Sequence, residues 1–132
     1  MTRKNDMKPT ELRIGNLVCY NGEVVKVEQI TKHKIGFHTK PNETRMNYAR
    51  LCEVEPIPIT EELLLKCGFA KRAHSDKVFV YEKGMVSVIY FMEDSMCDIQ
   101  AECDGATIMC THLHDLQNAY NLVTKQELTL RL

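Results

Sequence analysis

The dipeptide Asn21-Gly22 constrains this chain more than any other feature. Leu17-Val18-Cys19-Tyr20 runs into it, and Val24-Val25 leaves it. Asn and Gly both accept positive φ, which a two-residue type I′ hairpin requires at both central positions. Hairpin strands are therefore expected at 17–20 and 23–30. On the second strand Val25 and Val27 share a face, and Ile30 breaks that parity. A bulge or sharp bend is expected near Glu28-Gln29. Strands at 34–38, 46–51 and 52–57 follow, with Ile35 and Phe37 inward and Gly36 permitting a close approach. Pro56 and Pro58 remove ladder donors, so the last strand must end there or lie at an edge. Five short strands predict a small SH3-like β-barrel over 11–58. The polar segment 1–10 reads as a flexible arm.

Residues 59–132 read as an α+β body, packed with the barrel as one unit. Thr60 is placed to cap a short helix, with Glu61 and Glu62 in its first turn, where the helix dipole favours anions. Ile59 and Leu64 form a staple, and Gly68 followed by Phe69 suits a Schellman stop. Alternating segments at 77–81, 85–92, 96–102 and 106–110 predict a four-stranded antiparallel meander. In a C-terminal helix over 112–123, Leu113, Leu116, Tyr120 and Val123 make one face. Thr111 can cap it, and 128–132 is a candidate final strand. The fold class is α+β.

The net charge of −1 conceals an asymmetry. Residues 1–50 carry ten Lys/Arg against five Asp/Glu, and residues 51–132 carry seven against thirteen. The basic residues are scattered rather than blocked, which favours solvated charges, or attraction between the halves, over a polyanion site. The longest clearly apolar run, Val86-Ser-Val-Ile-Tyr-Phe-Met92, is far below the roughly 20 residues that span a bilayer. No secretory signal is evident, so a cytoplasmic protein is expected and no membrane partner. The six cysteines then read as thiols.

Cys97, Cys103, Cys110, His112 and His114 are the densest reactive cluster. No Cys-x-x-Cys knuckle introduces it, and an extended strand would hold Cys97 and Cys103 apart. Buried thiols account for it better than a metal, and no metal or other cofactor is expected. His74-Ser75-Asp76 places triad residue types side by side, where consecutive side chains point apart. Glu61-Glu62 and Glu93-Asp94 suit a helix start and a turn. No Gly-rich phosphate loop, Gly-x-Ser-x-Gly or His-Glu-x-x-His occurs. No catalytic residue is assigned, and a metal-dependent enzyme is the least favoured reading. Lys26, Lys32, Lys34, Lys40, Arg45 and Arg50, with Tyr20, Phe37 and Tyr48 interleaved, could form a single-strand nucleic-acid surface; Tyr20 is taken as its aromatic.

Three segments look familiar together. They are Leu12-Arg-Ile-Gly-Asn-Leu-Val18 with the hairpin after it, Leu51 to Phe69, and Leu113-His-Asp-Leu-Gln-Asn-Ala-Tyr120. The chain resembles a family of small uncharacterised proteins of Bacteroides-type gut bacteria, their prophages and mobile elements. The resemblance implies a cytosolic life in a bacterium or its phage and brings no activity with it. Members often carry glycine after the threonine that ends the last helix, where this chain has Lys125. His114, Gln117 and Asn118 are the polar residues of the last matching segment and share a helix face. The expectation is a non-enzymatic binding or adaptor module acting on a macromolecule. A protein partner is preferred, and nucleic acid on the basic barrel is the alternative.

Overall fold

The computed structural model describes residues 7–40, 42–75, 77–94, 96–101, 107–128 and 130, apart from the side chains at 73, 74 and 101. The chain forms two compact units, Met1–Ile57 and Pro58–Leu132. It is α+β, with antiparallel strands and two α-helices. No helix among the described residues is long and apolar enough to cross a membrane.

Among its described residues the first unit holds two three-stranded sheets. Strands β1 (Leu17–Tyr20) and β2 (Glu23–Lys26) flank the expected turn, with Asn21 at φ 54° and Gly22 at φ 81°. The ladder then breaks at Val27–Glu28, where the bend was expected. The chain resumes as β3 (Gln29–Ile30) in the second sheet, beside β4 (Lys34–Phe37) and β5 (Asn47–Arg50). Val27 still binds Asn16 through its N–H, and Glu28 already donates to the Gly36 carbonyl, each at 2.8 Å. One bent segment thus serves both sheets. The core of this unit joins Val18, Val25, Val27, Ile35, Phe37, Ala49, Leu51 and Val54.

Two expectations are corrected here. The strand over 52–57 shrinks to β6 (Val54–Glu55), paired with β1, because Leu51–Glu53 closes into a 3-10 turn first and Pro56 follows. The segment 1–10 is not wholly an arm. Met7 is 4 % exposed and joins the core, and Pro9–Glu11 is a 3-10 turn tied by the Glu11 carboxylate to the Lys8 N–H. Residues 1–6 lie outside the described part.

The second unit begins with α1 (Glu61–Lys66). The Thr60 hydroxyl accepts from the Leu63 N–H at 3.1 Å, and Phe69 and Gly68 donate back to Leu64 and Leu65 in a Schellman stop. Gly68 at φ 92° supplies the left-handed residue. Lys83 reaches this helix end, donating to the Cys67 carbonyl at 2.8 Å and lying over the Tyr120 ring. Burial pushes the Cys67 thiol up to about 11, with Lys83 opposing.

The expected meander has five strands rather than four. Its order is β11-β10-β9-β8-β7, where β7 is Ala70–His74, β8 Val78–Lys83, β9 Val86–Phe91, β10 Met96–Ala101 and β11 Thr107–Cys110. The additional strand, β7, carries no apolar alternation and bears a bulge between Lys71 and Ala73. Helix α2 (Leu113–Thr124) packs on β10 and β11, burying Leu113, Leu116 and Tyr120. Its N-cap is His112 rather than Thr111. Asp115 accepts from the Thr111 hydroxyl at 3.0 Å and the His112 N–H at 3.2 Å. It ends on Lys125 at φ 62°, a left-handed position filled without glycine. Leu128 and residue 130 are not strand, and the rest of the expected final strand lies outside the described residues.

Candidate nucleic-acid interface

Pleating assigns the faces of the β3-β4-β5 sheet. Ile35, Phe37 and Ala49 are buried, so Lys34, Gly36, Tyr48 and Arg50 point to the other side. Register then sets who meets whom. Lys34 lies directly opposite Arg50, and Gly36 directly opposite Tyr48. Tyr48 is 54 % exposed. Met46 fills the space above Gly36, where a Cβ would clash with its sulfur.

Two cations meet at one end of this face. Like charges directly opposite on antiparallel strands destabilise a sheet. Glu53 offsets part of that cost: its carboxylate lies 3.3 Å from the Arg50 Nε and 3.1 Å from the Arg50 N–H. Those hydrogen bonds from Arg50, backbone first, hold the Glu53 carboxyl below its usual range. Thr31 closes the β3–β4 turn, its hydroxyl accepting from the Lys34 N–H. Lys32 and His33 sit exposed in that turn beside Lys34. Lys40 and Arg45 are exposed beyond the other end of the sheet. Glu43 organises their loop, accepting from the Thr39 hydroxyl at 2.9 Å, the Thr39 N–H and the Asn47 amide at 3.1 Å each. The Thr39 hydroxyl, then Asn47, lower the Glu43 carboxyl.

The residues expected from the sequence therefore divide. Lys34 and Arg50 come together, and Lys32 adjoins Lys34. Lys40 and Arg45 stand on the loop that leads into β5. Lys26 lies on the other sheet, opposite Leu17. Tyr20 is half-buried, its ring packing at 5.5 Å against buried Phe37, and Tyr48 is the exposed ring of this face. A recess of about 390 Å³ at Cys19, Cys52, Glu53 and Glu55 is lined with carboxylates and repels phosphates.

Cys97 lies directly opposite Cys110, and both are fully buried. The Cys110 contact, followed by burial, raises the Cys97 thiol. The five described cysteines are free thiols, and Cys103 lies outside the described residues. Among the described residues no three His, Cys, Asp or Glu side chains are grouped as a metal requires. His114 and Gln117 are each 2 % exposed, inside the unit rather than on a ligand face, and Asn118 is half-buried. The His114 Nε2 stands 3.5 Å from Asp115. Glu61, Glu62 and Glu93 pair with Lys71, Lys66 and Lys77. Asp76 of the triad-like run lies outside the described residues. Compared with protein-family models, curated proteins and solved structures, the chain matches none.

Proposed function

We propose that this chain is a non-enzymatic binding protein whose first unit engages single-stranded nucleic acid. The carrying observation is the outer face of β4 and β5: exposed Tyr48, with the paired cations Lys34 and Arg50 one step along the same strands. A stacking ring beside charges that track phosphates is how single strands are held without sequence reading. A register that juxtaposes two cations costs the sheet stability, and an anionic partner turns that cost into binding energy.

An SH3-like barrel is the architecture we assign to this unit. Its support is chain order: a tight hairpin, a bent strand shared by two sheets, a 3-10 turn, and a last strand returning to β1. Cytoplasmic origin in a phage or mobile element rests on the sequence resemblance and on the use of cysteine as thiol.

A protein partner is the second reading, and one observation favours it. On the five-stranded sheet, Val78, Val80, Ile89, Phe91 and Met96 lie half-buried on the face away from Val88 and Ile99, with Met109 64 % exposed. Apolar faces of this kind mark interaction sites.

The test is a shift of labelled single-stranded oligonucleotides. Binding should weaken steeply with salt and be lost in a Lys32→Glu, Lys34→Glu, Lys40→Glu variant that still folds. No binding at low salt removes the nucleic-acid reading and leaves the protein partner.

A further inference from the structure

Where the two sheets of the first unit part, they leave a cleft of about 290 Å³. Ligand sites favour the mouths of small β-structures, and this volume is at the low end for them, room for one planar ring system. Its walls follow from pleating. Glu23 lies directly opposite Tyr20, and Val25 directly opposite Val18, so Glu23, Tyr20 and Val25 share the inward face of the first sheet. Phe37 lies directly opposite Asn47 on the inward face of the second. The Tyr20 ring leans at 58° on the buried Phe37 ring, which backs it. Two of the polar groups at the rim offer acceptors. Asn47 spends its amide hydrogens on the Glu43 carboxylate and the Phe37 carbonyl, so its Oδ1 is what it offers. Glu23 is exposed and presents a carboxylate. Tyr48 also lines the cleft, which joins it to the cationic face.

We propose that this cleft takes one nucleobase of a bound single strand and selects guanine, with Glu23 as the reading residue. The inference rests on the nucleic-acid reading above. An ionised carboxylate accepts two hydrogen bonds side by side. Guanine alone carries two adjacent N–H donors, N1–H and N2–H, on its Watson–Crick edge. Adenine and cytosine place an acceptor beside their donor, and thymine places acceptors on both sides of its own. The half-buried Tyr20 ring, backed by Phe37, supplies the apolar contact any base uses. Lys40 and Arg45, on the loop that contributes Thr39 to the cleft, supply cations for the flanking phosphates.

The test measures fluorescence anisotropy with the full chain and three oligonucleotides: an all-thymidine strand, the same strand with one central guanosine, and the same with inosine there. Inosine keeps N1–H and lacks the N2 amino group. The guanosine strand should bind about tenfold tighter than the other two, toward the low end of what a bidentate base contact supplies. Glu23→Gln, whose folding is checked by an unchanged melt, should erase that preference. Equal binding of all three strands overturns the guanine site while the nucleic-acid reading stands. Binding of none overturns both. An unchanged guanine preference in Glu23→Gln overturns the role of Glu23.

Discussion

Replacing Lys34 by Gln should make the first unit more stable and a weaker binder, and the two effects have one origin. Lys34 and Arg50 face each other across β4 and β5. At about 6 Å in water two unit charges repel by about 0.7 kcal/mol. Screening at physiological salt, with a Debye length of about 8 Å, leaves about 0.3 kcal/mol. Glu53 beside Arg50 lowers it further. Lys34→Gln should therefore raise unfolding free energy by a few tenths of a kcal/mol, more at low salt than at high salt. On the binding side, one phosphate contact on a single strand contributes about 0.7 to the slope of log affinity against log salt. The variant should lose about that much slope, which is close to a threefold difference across a fourfold change of salt. Urea unfolding at two salt concentrations reads the first effect, and anisotropy titrations across salt read the second. If stability falls, Lys34 has a partner that holds the sheet, and the argument from opposed charges is wrong. If the slope is unchanged, Lys34 touches no phosphate.

Gly36→Val should destabilise by about 1–3 kcal/mol through overpacking against Met46 and Gln29, and Met46→Ala should recover part of it in a double-mutant cycle. Lys125→Gly should stabilise the second unit by about 1 kcal/mol, measured by denaturant melts, because a left-handed cap at φ 62° suits glycine. Leu64→Ala should cost about 2–5 kcal/mol, since that side chain is fully buried under α1. The Cys67 thiol ionises at about 11 in the fold against an ordinary value of 9.0. Its contribution to stability is complete below pH 9 and is lost as pH rises through 11, because the unfolded chain ionises first. Cys67→Ala should flatten that alkaline loss in melts taken across the window.

The fold was legible where local chemistry decides it. Asn21-Gly22 could only be a hairpin turn, Ile30 out of parity marked the break at Val27–Glu28, and Thr60 with Gly68 bracketed α1. It was hidden where register or tertiary context decides. β7 reads Ala-Lys-Arg-Ala-His, with no apolar alternation, because it is a bulged edge strand. At the candidate interface, the sequence offered Tyr20, Phe37 and Tyr48 alike as interleaved aromatics and could not say which ring is exposed. The structure buries the small residue of β5, Ala49, and turns its one large aromatic outward, the reverse of the usual pattern. That Lys34 meets Arg50, or Cys97 meets Cys110, depends on strand register across loops, which no single-strand periodicity contains.

Amide chemical-shift mapping of isotope-labelled protein with a short single-stranded oligonucleotide at low salt tests the central claim most directly. Shifts centred on Lys32, Lys34, Tyr48 and Arg50 that fade as salt is added are expected. No shifts, or shifts confined to the five-stranded sheet between Val78 and Met109, would contradict it.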